Sequence, residues 1–434
     1  MNFIMNGGKG EIRMLAKEHE QNIWKYAFAS VAVTVSSLGF GRMSYGIIMP
    51  FMKENLVMSY KQAGLLATTV SIGYLMMVIF VGLLVTKYGA KKLVIFGTGL
   101  VSFGLFMLSF IAGYGWTLFA MLLLGIGTAF TYTPLITILV GWFPRKRGML
   151  IGFLVSGMGL GTLISGALIP FFTTWFGDLG WRYLWFFYGA VSIVSIVIAM
   201  IILRDPPIPL LPKETQKRSF WMKVYFNKRV LRVAFIYGLV GFAYLVPQSF
   251  LFSYILEVGL TKFQAGQIMA ISGIMTIFSG PLWGGVSDRI GRKSALLATL
   301  GIGAVSLLIP VIFPVYIGLI VSQFLWGATI VGMLSLCQAL STEQVHPTYA
   351  PVALGYVTFF FAVGQLLGPG IGGWIIDRFQ QIPLALIMCS VLLALAFLLS
   401  IRMNSHAVDV DVTALEAKPV LKSLCLEEAS AEEL

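Results

Sequence analysis

Polar side chains in this chain are confined to short clusters, and long apolar runs fill the distance between them. Twelve runs stand out, over residues 24–52, 63–85, 93–113, 116–141, 149–174, 183–203, 232–256, 266–286, 294–312, 315–340, 351–376 and 383–401. They are close to or above the roughly 20 residues that a helix needs to cross the hydrocarbon of a bilayer. Lipid offers a backbone no hydrogen-bond partners, so a spanning segment is either a helix or a strand of a closed barrel. Barrel strands would show about ten residues of alternating polarity, whereas these runs are longer and apolar throughout. The pattern predicts an all-α membrane protein of about twelve transmembrane helices.

The runs form two sets of six, and the second repeats the first at an offset of 202 residues. Gly39-Phe40 returns as Gly241-Phe242, and Gly125 as Gly327. Gly82, Lys87, Gly89 and Lys91 hold the places taken later by Gly284, Arg289, Gly291 and Lys293. Tandem half-chains of matching hydropathy predict two pseudo-symmetric six-helix bundles with a site between them, the build of a carrier. The expected organisation is an N-terminal segment over 1–22, a first bundle over 23–204, a linker over 205–231, a second bundle over 232–402 and a flexible tail over 403–434. The linker is basic and Pro-rich, and an amphipathic turn is expected around 220–226 on an anionic leaflet. The tail is acidic, from Asp409 to Glu433.

Composition narrows the class further. Only 11% of the 434 residues are charged, less than half the usual share of about 25% in soluble domains. The net charge of +12 would suit nucleic acid, but its placement does not: 24 of the 30 Lys and Arg fall in alternate loops and the two ends. That asymmetry is the positive-inside rule. It predicts a multi-pass protein of the cell inner (cytoplasmic) membrane with both termini cytoplasmic, partnered by the lipid bilayer and not by nucleic acid. Cys337, Cys389 and Cys425 lack metal-ligand spacing, and no cofactor motif or metal site is expected. A monomer is the expected state.

Three stretches carry a family resemblance. Gly284-Gly-Val-Ser-Asp288-Arg289-Ile-Gly291-Arg292-Lys293 is similar to the loop signature between the second and third helices of each half in the major facilitator superfamily. Trp142-Phe-Pro-Arg-Lys-Arg-Gly148 with Gly157-Met-Gly-Leu-Gly161 resembles its fourth loop and fifth helix. Gly364-Gln-Leu-Leu-Gly-Pro-Gly-Ile-Gly-Gly373 resembles the Gly/Pro pattern of its fifth or eleventh helix. Within the superfamily, Gly241-Phe-Ala-Tyr244 and Ser279-Gly-Pro-Leu-Trp-Gly284 look like the branch of monocarboxylate and oxalate/formate carriers and uncharacterised bacterial relatives. The resemblance implies that Gly284, Asp288, Arg289, Gly291 and Arg292 gate the cytoplasmic side, with Asp288 near a helix N-terminus across the bundle interface, where the dipole favours an acid. The first half has Thr86 and Ala90 in the corresponding places, which implies a weaker latch. Two departures bear on the substrate. Mammalian-type monocarboxylate carriers place Asp and Arg in the eighth helix, where this chain has Thr276 and Gly280. Their first-helix cation would fall near Gly46, whereas here the cation is Arg42, one turn earlier.

Arg42 is the one cation deep within a run. Burying it costs at least about 3 kcal/mol, so its guanidinium is expected to face a wet central cavity, where its planar fork suits a carboxylate or similar oxyanion. The 202-residue offset maps Arg42 onto Tyr244 and Tyr74 onto Thr276. Tyr132, Gln248 and Gln365 lie at comparable depth. Arg42, Tyr74, Tyr132, Tyr244, Gln248 and Gln365 are therefore the candidate substrate-binding residues, although a Tyr or Gln in a bundle serves equally well as a contact between helices. No Asp or Glu sits well inside a run, and His19, His346 and His406 fall in loops or tails. A proton-coupling acid is thus missing, and coupling is expected to run through the charge of the substrate. The expected activity is secondary active transport of a small organic anion, monocarboxylate-like, by alternating access. The alternative is efflux of drugs or other hydrophobic compounds. No cluster of side chains supports an enzyme.

Overall fold

The computed structural model describes residues 23–111, 113–143, 146–206, 224–345 and 350–403. The segment 1–22, most of the linker with the first part of the expected amphipathic turn, and nearly all of the tail lie outside the described residues, as do His346 and His406. Among the described residues twelve long helices follow one another. The first, α1, runs over Ile23–Thr34, continues as a π-helical stretch over Val35–Met43 and resumes as α-helix over Tyr45–Asn55. The others are α2 (Tyr60–Tyr88), α3 (Ala90–Phe110), α4 (Tyr114–Trp142), α5 (Arg147–Trp175), α6 (Gly180–Ile202), α7 (Lys228–Glu257), α8 (Lys262–Ile290), α9 (Arg292–Ile312), α10 (Tyr316–Glu343), α11 (Ala350–Phe379) and α12 (Ile382–Ile401). Eleven are each long and apolar enough to cross a membrane, and α2 joins them if its two arms, bent by 54°, count as one span.

The repeat read in the sequence is a repeat of structure. α4 packs on α2 and α3, and α3 on α6; α10 packs on α8 and α9, and α9 on α12. Ser59 and Gln62 form a capping box at the start of α2, and Thr261 and Gln264 form the same box at α8. Each such cap is worth about 1 kcal/mol. Gly89 and Gly291 both take the left-handed conformation, at φ 87° and 83°, which side-chain-bearing residues adopt only at a cost. Lys91 Nζ then donates to the Met200 carbonyl at 2.7 Å, and Lys293 Nζ to the Ile401 carbonyl at 2.8 Å. Gly125 lies on the Val70 carbonyl and Gly327 on the Ser272 carbonyl, again 202 residues apart, so each fourth helix of a half touches the second backbone to backbone.

The two halves meet along α5 with α8, α2 with α11, and α1 with α7. One face of the bundle carries the basic loops after α2, α4, α8 and α12, and is called the basic face below. From the middle of the bundle to the opposite face the halves are in close contact. Gly159 lies against Gly273, and Gly166 against Gly266, where a Cβ would meet the partner carbonyl at 2.5–2.6 Å. Across the other seam Gly64 rests on the Pro369 carbonyl and Gly373 on the Tyr60 carbonyl. At the opposite surface, Asp377 at the end of α11 accepts from the Tyr60 and Lys61 amides at 2.8 and 2.7 Å, capping α2 from the other half. The Tyr60 hydroxyl donates to Glu257 at 2.5 Å. Toward the basic face α5 and α8 instead line a cavity of about 960 Å³.

Candidate functional site

The π-helical stretch of α1 crosses the centre of the bundle. The Ser44 amide donates to the Gly39 carbonyl five residues back, at 2.9 Å, and the Ser44 hydroxyl donates to the same oxygen at 3.0 Å. Packing holds this stretch on both sides. Gly39 sits on Gly157 and Gly161 of α5, so closely that a Cβ would lie 2.8–2.9 Å from their backbone. Phe40 stacks on Tyr188 with ring centres 4.0 Å apart. Ser44, Ser165 and Tyr188 form a chain of hydroxyls at 2.5 and 2.7 Å. Widened π turns recur at functional sites, where one side chain of the turn is put to use. Here the side chain is Arg42.

Arg42 reaches across the gap between the halves. Its Nη2 donates to Gln365 Oε1 on α11 at 2.7 Å and to Ser71 Oγ on α2 at 3.2 Å. The guanidinium carbon stands 5.4 Å from the centre of the Tyr74 ring, within cation–π range. Tyr244 lies within electrostatic reach of the same cation, and Tyr132 within reach of Tyr74 and Tyr244. Tyr244 donates to Met43 Sδ at 3.2 Å. Gln248 borders the same small void as Arg42, and its amide donates to the Met43 carbonyl at 3.0 Å, beside the break in α1. Arg42 Nε has neither exposed surface nor a hydrogen-bond partner. A guanidinium carries five N–H donors, and a buried one left unmade costs about 1–3 kcal/mol. Among the described residues no carboxylate pairs with Arg42.

The structure corrects one expectation about this centre. Arg42 does not face a wide wet cavity; it borders a void of about 10 Å³, room for about one water. A second void of about 20 Å³ lies beside Tyr244 and Gln248. The cause is the crossing of α1 and α7, where Gly46 is seated on the Gln248 carbonyl with no space for any side chain. A first-helix cation therefore has no room at Gly46. The large cavity begins farther toward the basic face, and shares Thr276 and Val331 with the void beside Tyr244. Among the described residues no charged side chain lines it, and Thr276 and Gly280 are in its wall.

Four residues near the centre were not singled out from the sequence. Ser71 precedes Tyr74 by three residues and shares its helix face. Tyr237 and Tyr244 lie seven apart on α7, and Phe361 lies four before Gln365 on α11, so both spacings were legible. Tyr237 stacks on Phe361 at 4.3 Å, and Phe361 stands 6.2 Å from Tyr244. Gln338, on the wall of the large cavity, donates to the Tyr237 hydroxyl at 3.0 Å.

Of the gating candidates, Gly291 takes its left-handed turn and Gly284 lines the cavity. Asp288 and Arg289 are exposed, and Asp288 has no ion pair among the described residues. Arg292 pairs with Glu343 of α10 at 2.5 Å, within its own half. Among the described residues Asp288 has no hydrogen bond or ion pair across the bundle interface, and the cavity lies between α8 and α5 at this face.

Comparison with known proteins agrees with this architecture. A family described as "Uncharacterised MFS-type transporter YbfB" matches residues 34–401. Monocarboxylate transporter 12 of Xenopus laevis is 26% identical over 351 residues, which cover 72% of this chain and 76% of that protein. The uncharacterized MFS-type transporter YbcL of Bacillus subtilis is 23% identical over 370 residues, 82% of this chain and 90% of that protein. Among solved structures, a mutant of the nucleoside transporter NupG superposes with a TM-score of 0.71 at 15% identity, over 87% of this chain and 100% of that one. A bacterial homolog of the human lysosomal transporter Spinster, inward-facing and unoccupied, gives 0.68 at 17% identity, over 87% and 98%. At such identities the structural likeness concerns the fold alone.

Proposed function

The chain belongs to the MFS-type transporter family that matches residues 34–401, and on that premise we propose that it moves a small organic anion, monocarboxylate-like, by alternating access. One observation carries the reading: Arg42 is a buried cation with an unmade Nε–H bond, no carboxylate partner among the described residues, and a neutral amide, Gln365, on its Nη2. An incoming carboxylate offers two oxygens to such a fork and replaces the amide with a charge-assisted pair. Tyr74, Tyr132 and Tyr244 surround the bound group, while Gln248 holds the break in α1 that aims the cation. The gap is closed on the opposite face and open at the basic face, one of the two states that rocking of the halves would connect. The basic face is cytoplasmic in this reading, in accord with the charge of its loops. Asp288, Arg289 and Arg292 belong to the closure of that face in the alternate state.

A second reading, efflux of hydrophobic compounds, draws support from the mostly apolar wall of the large cavity. Uptake of radiolabelled mono- and dicarboxylates into proteoliposomes separates the two. Monocarboxylate flux should fall at least a hundredfold in Arg42→Gln, the scale of a lost charge-assisted pair of about 3 kcal/mol. Flux of a lipophilic cation such as tetraphenylphosphonium, unaltered by that substitution, would instead establish the second reading and end the first.

A further inference from the structure

The large cavity and the cation are joined by a track of rings, and this track speaks to what lies behind the carboxylate of the substrate. Starting from Arg42, Tyr244 is within electrostatic reach, Phe361 is 6.2 Å from Tyr244, and Tyr237 stacks on Phe361 at 4.3 Å and 13°. Gln338 ties the Tyr237 hydroxyl to the cavity wall. The cavity itself holds about 960 Å³, equivalent to some thirty waters at about 30 Å³ each. Its lining includes Ile151, Phe153, Ile277 and Val331 beside Ser156, Ser335, Gln338 and Thr342, and among the described residues it has no ionisable side chain.

A two- or three-carbon acid gains little from such walls, because its hydration shell meets mostly apolar surface that returns few hydrogen bonds. An acid with an apolar body gains from every carbon it buries, and a flat ring gains further by stacking. A second charge on the body would find no charged partner among the described residues of that wall. Resting on the anion reading above, we infer that the substrates are amphipathic monocarboxylates: one carboxylate for Arg42, attached to an uncharged apolar body, preferably aromatic, that extends past Thr276 and Val331 into the large cavity.

The test is competition against a transported carboxylate in proteoliposomes, using acetate, butyrate, hexanoate, phenylacetate, indole-3-acetate and succinate. Each added methylene should lower the half-inhibitory concentration roughly threefold to fourfold, the equivalent of about 0.8 kcal/mol per CH₂. The aryl acids should outcompete acetate by at least tenfold, and succinate should compete poorly. Phe153→Leu and Val331→Ser, both in the cavity wall, should each weaken phenylacetate more than acetate and so narrow the ratio of the two. A merely structural defect would lower both acids together. If potency is flat or falls along the series while acetate flux still depends on Arg42, the inference is overturned and the anion reading stands. Potency that rises with apolar bulk but is indifferent to Arg42→Gln also overturns it. If no carboxylate is carried or competes, the anion reading itself has failed.

Discussion

The two faces of the bundle are built from different materials. On the opposite face the halves touch through backbone: Gly166 on Gly266, Gly64 on Pro369 and Gly373 on Tyr60, with Asp377 capping a helix of the other half. At the basic face the polar contacts stay within a half. Arg292 pairs with Glu343, Lys293 with the Ile401 carbonyl, Lys91 with the Met200 carbonyl, and Asp205 accepts from the Lys91 amide at 2.8 Å. The first kind of contact resists the separation of the halves. The second stiffens each half and lets the pair swing as rigid bodies. The difference also breaks the symmetry of the repeat, since the position matching Asp377 in the first half is Trp175, and those matching Arg292 and Glu343 are Ala90 and Gly141.

The largest expected effect strikes the backbone seam. Gly273→Val places methyl groups where a Cβ alone would already meet the Gly159 carbonyl and the Leu163 amide at 2.6 Å. Overpacking of this kind costs about 1–3 kcal/mol, so cysteine labelling from the opposite face should rise by about fivefold to a hundredfold, with transport falling accordingly. Labelling equal to the unsubstituted protein would break the comparison, because the seam would then tolerate bulk. Asp377→Asn comes next. It removes the charge from a half-buried cap of two amides, worth about 1 kcal/mol at such exposure. Accessibility from the opposite face should rise about fivefold, and more at low salt than at high salt. Asp288→Asn should give the smallest change and the opposite sign. If it closes the basic face in the alternate state, the variant should show about twofold more labelling from the basic face. A shift of both Asp variants in one direction would show that the two faces do not alternate.

Much of this was legible in the chain because hydropathy and glycine placement report on helices one at a time. The repeated glycines at 39 and 241, and at 125 and 327, mark the same close approaches in both halves. Arg42 was visible because a charge in an apolar run has few explanations. What escaped depends on relations between helices. Asp377 reads as an ordinary loop acid until α2 is placed beside it. The π turn before Ser44 follows from the fit of Gly39 on α5, which no local propensity encodes. The width of the gap around Arg42 likewise depends on which way the halves are tilted, and a sequence holds both tilts at once.

The glycine seam has a consequence for speed. Side chains that interlock must give up rotamer freedom when they dock, at about 0.5–2 kcal/mol for each long residue. Glycine has none to surrender, so the carbonyl contacts of Gly159, Gly166, Gly266 and Gly273 can form and part without that entropic toll. A surface that must let go and re-engage once in every cycle is well served by groups that have nothing to freeze.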